Sequence, residues 1–312
     1  MPVSTARHDL LHARVQRFTR MLHGLEDGNV GAVHRTRVAS RRLREVLPIL
    51  QLDPEIAERL SRRLRKITQR LGVVRELDVL LALIDELAGS DRYPTTALAK
   101  VGRVVRDERD RARAGFAAKR PVAELTRLAA KLEKIARALE AEDAVPRRQQ
   151  TAARSWQWAL DARAVHRATA LAEAMDNAGA VYLPERLHAI RIAAKKLRYA
   201  LEVSADVARV KSTPDLRLLR RVQDTLGRLH DLHVLEDRVR QLQASLTPPD
   251  VNVWRQLDTL VVSIDEECRR LHGRYMRERD GLVALCTRLA GHRDRDRDRS
   301  ITNHQSAIKN SK

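Results

Sequence analysis

The chain has 312 residues, of which 43% are hydrophobic and only 3% aromatic, with 12 glycines and 10 prolines. So much apolar residue excludes a disordered chain, and the Ala/Leu/Arg/Glu bias with little aromatic clustering points to an all-α fold. Lys+Arg number 60 against 41 Asp+Glu, a formal charge of +19 that speaks of polyanionic partners rather than of fold.

From the N-terminus onward no apolar signal core appears, and nowhere do 18 uncharged apolar residues run together. The sequence therefore reads as a cytoplasmic protein without membrane insertion. Apolar residues at helical spacing predict helices over about 4–24, 29–50, 54–70, 73–88, 95–119, 122–142, 147–176, 182–208, 214–228, 229–246 and 250–289. Breaks fall at glycines such as Gly28, Gly31 and Gly89 and at Pro54, Pro94, Pro121, Pro146, Pro184, Pro214, Pro248 and Pro249. Asp53 and Thr213 precede Pro54 and Pro214 as N-caps. Cys268 and Cys286 form no CxxC pair and read as buried small hydrophobes. The tail 291–312 alternates Arg with Asp, loses its apolar residues and reads as disordered.

The second predicted helix carries a basic cassette: His34, Arg37, Arg41, Arg42 and Arg44. It recurs 154 residues later in the helix after Pro184, as His188, Arg191, Lys195, Lys196 and Arg198. At 100° per residue His34, Arg37, Arg41 and Arg44 share an arc of about 80°. Ala39, Leu43, Val46, Leu47 and Leu50 fill the apolar stripe of the same helix. In the second copy Ala193, Leu197 and Leu201 do so. Each cassette is a strip of positive charge on the order of 15 Å long. Glu45 is the one carboxylate within the first. Like charges at helical spacing repel by roughly 0.2–0.5 kcal/mol per pair, so two such strips are better explained by a strongly anionic ligand than by stability. The helix over 95–119 makes the contrast, because Asp107, Glu108 and Asp110 interleave its arginines as on an ordinary solvated face.

A second element repeats at an offset of 155: Arg65-Lys66 with Leu71-Gly72, Arg75 and Glu76, against Arg220-Arg221 with Leu226-Gly227, His230 and Asp231. Two landmarks at nearly one offset read as a duplication, a domain over 1–290 with halves near 1–145 and 146–290. Lys66, Arg75, Arg221 and His230 join the cassettes as candidate binding residues, with Glu76 and Asp231 orienting arginines. Gly72 and Gly227 follow no strand, which excludes a dinucleotide loop. They mark either a close helix–helix approach or a turn between helices. Arg and Lys around His34 and His188 repel a cation, so no metal and no cofactor is expected.

These residues resemble the CHAD family, named for conserved histidines in an alpha-helical domain. His34 to Arg44 match its H-x-x-R-V-A-x-R-R-L-R pattern, Leu71 to Leu80 its L-G-x-x-R-(D/E)-x-D-V-L pattern. His188 to Tyr199, followed by Glu202, and Gln223 to Asp231 match the two patterns of the second half. Glu76 stands where Asp is usual, and His233 where the first half has Asp78. The resemblance implies two four-helix bundles related by internal pseudo-two-fold symmetry, whose basic surface binds long-chain inorganic polyphosphate without catalysis. It also implies association with polyphosphate granules. Family members often follow a CYTH triphosphatase domain. Its ExExK signature is missing here, since Ala144 follows Glu140 and Glu142 where Lys is required. Nucleic acid is the competing partner, although Trp156, Trp158 and Trp254 lie outside the cassettes and only Tyr199 accompanies them. A phosphohistidine-transfer bundle using His34 or His188 is a third reading.

Overall fold

Prolines and their caps set where helices begin. The Asp53 carboxylate accepts from the Glu55 and Ile56 backbone N–H at 2.9 and 3.0 Å, and Pro54 fills the first turn, where its missing N–H costs nothing. Thr213 caps the helix of Pro214 in the same way, its hydroxyl accepting from Leu216 N at 3.2 Å. The computed structural model describes residues 6–25, 30–117, 121–144, 156–210, 213–246 and 250–309. In chain order these form α1 (Arg7–Arg20), α2 (Val30–Val46), α3 (Pro54–Ala88), α4 (Thr95–Ala117) and α5 (Pro121–Asp143). There follow α6 (Trp156–Ala178), α7 (Pro184–Val207), α8 (Pro214–Ala244) and α9 (Val251–Lys309). Short 3₁₀ turns at His23–Leu25 and Leu47–Ile49 end the chain's first two helices. No strand occurs among the described residues, so the fold is all-α.

Two expectations change. The helices predicted over 54–70 and 73–88 are one helix, α3, and those over 214–228 and 229–246 are one helix, α8. Gly72 and Gly227 therefore make no turn. A mid-helix glycine costs roughly 1 kcal/mol relative to alanine, and here the burial of Leu71, Val74 and Leu226 on the flanking turns outweighs it. The backbone of 291–309 continues α9 as helix. No proline follows Pro249 to stop it. The predicted start at 147, with Pro146, lies outside the described residues.

The chain divides into two compact units. The first joins Met1–Ala153 to Arg228–Arg270, the second Arg154–Gly227 to Leu271–Lys312. Both units thus draw on α8 and α9, a partition that the two sequence halves do not suggest.

In the first unit α2 packs against α1 and α3, α3 against α4, and α1 against α5. The predicted stripe of α2 is its core face: Ala39, Leu43, Val46, Leu47 and Leu50 are all buried, each large side chain contributing roughly 1.5–3 kcal/mol. Polar pins fix the register. The Thr36 hydroxyl donates to Met21 O at 3.1 Å, and the Ser40 hydroxyl pairs with that of Thr68 on α3. Arg7 closes α1 onto α5, its Nε donating to Asp143 and its Nη2 to Glu142, both at 2.7 Å. The C-terminal part of α8 is tied in by the Arg228 fork on Glu86, at 2.7 Å twice, and by Arg238 on Glu108 at 3.0 Å.

The second unit rests on α6 against α7, with Leu171, Ile190, Ala194 and Leu197 fully buried. There α8 and α9 run antiparallel, as Asp215 with Arg288 (2.7 Å) and Arg221 with Glu278 (2.9 Å) require. Cys268 in the first unit and Cys286 in the second are buried and form no disulfide, as their spacing suggests, and burial pushes the Cys286 thiol up to about 11. Among the described residues no helix is long and apolar enough to cross a membrane.

Candidate functional site

The first strip lies on α2, with its apolar stripe anchored in the core and its cations turned outward. His34 and Arg35 are exposed, whereas Arg37, Arg41, Arg42 and Arg44 are half-buried along the same helix. Glu45, the carboxylate that the sequence sets among them, is buried. From α3, Arg75 comes alongside. The His34 imidazole registers this convergence: its pKa is lowered by partial desolvation and then by the positive charges of Arg75, Arg37, Arg41 and Arg35. Because His34 keeps much of its ring in water, the arginine field is the informative cause. Arginines of two helices, Arg75 on α3 and Arg35, Arg37 and Arg41 on α2, thus act on one imidazole by their charge. Lys66 is exposed two turns earlier on α3.

The contact that brings α3 so close is made at Gly72. A Cβ there would stand 2.9 Å from Arg37 Nη1, 3.7 Å from Cζ and 3.8 Å from Nη2. The guanidinium occupies the space that any other residue would fill. Of the two sequence readings of this glycine, close approach is therefore the one observed, and it is to a side chain rather than to a helix backbone.

The second strip lies on α7. His188, Arg191, Lys195 and Arg198 are half-buried and Lys196 is exposed. The His188 pKa is also lowered, by desolvation and then by Arg191 and Lys195. Here the remaining cations are drawn elsewhere. Arg198 reaches Glu202, one turn on, at 3.2 Å and lies 5.1 Å over the Tyr199 ring. Arg221 sets its fork on Glu278 at 2.9 and 3.1 Å. His230, the counterpart of Arg75 in the repeat, belongs to the first unit and not to that of the second cassette. Gly227 has nothing within 4 Å of where a Cβ would stand.

Two residues escape a reading by repeat and wheel alone. Arg35 contributes to the field at His34 but sits outside the arc of the other cations. Asp78, rather than Glu76, is the carboxylate of its motif that holds an arginine: it is buried and accepts from Arg113 of α4 at 2.9 Å. Glu76 is exposed. Of the other arginines of α4, Arg109 pairs with Asp110 at 2.8 Å and Arg111 donates to the Asp107 carbonyl at 3.2 Å.

Both strips are open helix faces. Grooves of about 180 and 310 Å³ in the first unit lie along α3, α4 and α8, away from α2, with Glu108 and Arg238 lining both. An open row of forked cations suits a linear chain of phosphates, each guanidinium donating two parallel hydrogen bonds. Among the described residues no group of three or more His, Cys, Asp or Glu gathers as metal ligands.

Comparison with known proteins agrees with this architecture. In fold the chain is similar to the crystal structure of the CHAD domain from the plant Ricinus communis, with 21% identity, a TM-score of 0.58 and coverage of 86% of this chain and 91% of that one. It is likewise similar to PptA from Streptomyces chartreusis, with 18% identity, a TM-score of 0.59 and coverage of 90% and 100%. At such identities the likeness concerns the fold alone. No curated protein matches the chain. The family model of the CHAD domain matches residues 9–240, a span that takes in both cassettes and both Leu-Gly elements, and the chain belongs to the CHAD domain family.

Proposed function

We propose that this protein is a non-catalytic module that binds long-chain inorganic polyphosphate through its two basic helices. The observation that carries the reading is the seating of the Arg37 guanidinium against Gly72, on a strip where the charges of Arg75, Arg37, Arg41 and Arg35 all bear on His34. The CHAD resemblance names the polymer, and the offsets of 154 and 155 support a duplicated chain with one helical bundle per half. A cytoplasmic protein that associates with polyphosphate granules is the setting that fits.

Affinity on this reading comes from number. A unit-charge contact at 4 Å is on the order of 4 kcal/mol near a protein surface before desolvation, and exposed pairs keep at most about 1 kcal/mol of it. Many such contacts make binding tight only for long chains, and salt weakens it. Nucleic acid fits the charge less well in one respect: Tyr199, the aromatic beside a cassette, is buried beneath Arg198 and offers no face for a base to stack on.

Calorimetric titration of long polyphosphate, tripolyphosphate, ATP and duplex DNA tests the reading. The long polymer is expected to bind most tightly, and Arg37→Glu with Arg191→Glu together to abolish its binding. Undiminished affinity in that double variant overturns the proposal. Displacement of polyphosphate by DNA at equal phosphate concentration replaces it with the nucleic-acid reading.

A further inference from the structure

Glycine is the poorest helix former after proline, yet Gly72 lies in the interior of α3. No positive φ requires it there. What requires it is space: Arg37 Nη1 lies 2.9 Å from where a methyl group would be. Among the described glycines, Gly72 is the one whose Cβ would meet a cation. Gly102 and Gly281 face Ile84 and Leu218 at 3.4 Å, and Gly227 faces open space.

We propose that Gly72 is a positioning residue for the anionic ligand: its missing side chain is the seat that holds the Arg37 guanidinium in line with Arg41 and beside Arg75. This inference rests on the polyphosphate reading above. The geometry gives it an unusual signature. The clash is with the far end of a flexible side chain, so Arg37 swings aside at little expense to the fold, while α3 gains a better helix former. Stability and affinity therefore move in opposite directions. A glycine required for packing would lose both.

Four variants test this: Gly72→Ala, Gly227→Ala, Arg37→Ala and Gly72→Ala with Arg37→Ala. Each is followed by thermal unfolding and by titration with long polyphosphate. Gly72→Ala is expected to raise the midpoint by roughly 2 °C and to weaken binding about tenfold, the scale of one charge-assisted hydrogen bond. Gly227→Ala raises the midpoint similarly and leaves binding unchanged. In the Arg37→Ala background Gly72→Ala costs no further affinity, because the group it displaces is gone. Wild-type binding by Gly72→Ala, or a further loss in that background, overturns the seat. If Gly72→Ala alone fails to fold, folding of the double variant still assigns the clash to Arg37, and its failure refutes it. Unaltered binding by Arg37→Ala instead marks failure of the underlying polyphosphate reading at this strip.

Discussion

The two basic strips carry almost the same residues and stand in different settings. On α2 the cations are gathered: Arg75 arrives from α3, Arg37 is seated over Gly72, and four arginines bear on His34. In the second copy Arg198 of α7 pairs with Glu202, and Arg221 of α8 pairs with Glu278. Duplication copies a helix face, but the field above that face depends on what neighbouring helices contribute. The field at His34 is thus set by four arginines from two helices, and that at His188 by Arg191 and Lys195 of its own helix.

The comparison predicts equality beneath the strips and inequality above them. Leu43 and Leu197 are equivalent in the repeat and both fully buried. Each truncation to alanine is expected to cost about 2–5 kcal/mol of stability, read by denaturant unfolding. A large cost at one site only would mean that the two strips do not share one kind of anchor.

Charge reversal addresses the inequality. Arg37→Glu places a carboxylate among the three other arginines that bear on His34, Arg75, Arg41 and Arg35, and Arg191→Glu places one beside Lys195 alone of the cations that bear on His188. Loss of polyphosphate affinity is expected to be about 100-fold for the first and about tenfold for the second, measured by titration at one fixed salt concentration. Equal losses would show that the gathered field at His34 contributes nothing particular to binding.

How much of this is legible in the sequence follows from the range of each interaction. Helical periodicity shows the all-α fold and the core stripes, because residues three and four apart share a face whatever packs on it. The cassettes are legible for the same reason. Asp78 with Arg113 and Arg221 with Glu278 are 35 and 57 residues apart, and no local pattern announces them. Nor does a glycine in a periodic run reveal whether it breaks the helix, as is expected at Gly72 and Gly227, or is carried through it. That depends on whether the flanking leucines find a core, and at Gly72 on a guanidinium from another helix. The division of α8 between two units is tertiary in the same sense: nothing changes in the sequence at Gly227 and Arg228 that would mark it.

The smallest expected effect is also the most specific. In the free protein the pKa values of His34 and His188 are both lowered, so both rings are neutral at pH 7. Burial and positive neighbours disfavour the imidazolium, and that contribution to stability is present above the ordinary value of about 6.5. It is lost as pH falls through the folded-state pKa. A bound polyanion reverses the field and raises the pKa, so binding takes up protons. Affinity is therefore expected to rise as pH falls from 7.5, and to level once the histidines of the free protein are themselves charged. The gain should be about three- to tenfold for long chains, whose terminal phosphates are few. Titrations in buffers of different ionisation enthalpy count the protons taken up. His34→Gln should remove more of the pH dependence than His188→Gln, because Arg75, Arg37, Arg41 and Arg35 all bear on the first ring and Arg191 and Lys195 on the second. A pH dependence that survives in the double glutamine variant would place the proton uptake on the ligand instead, and the histidines would then be spectators to the strips that they begin.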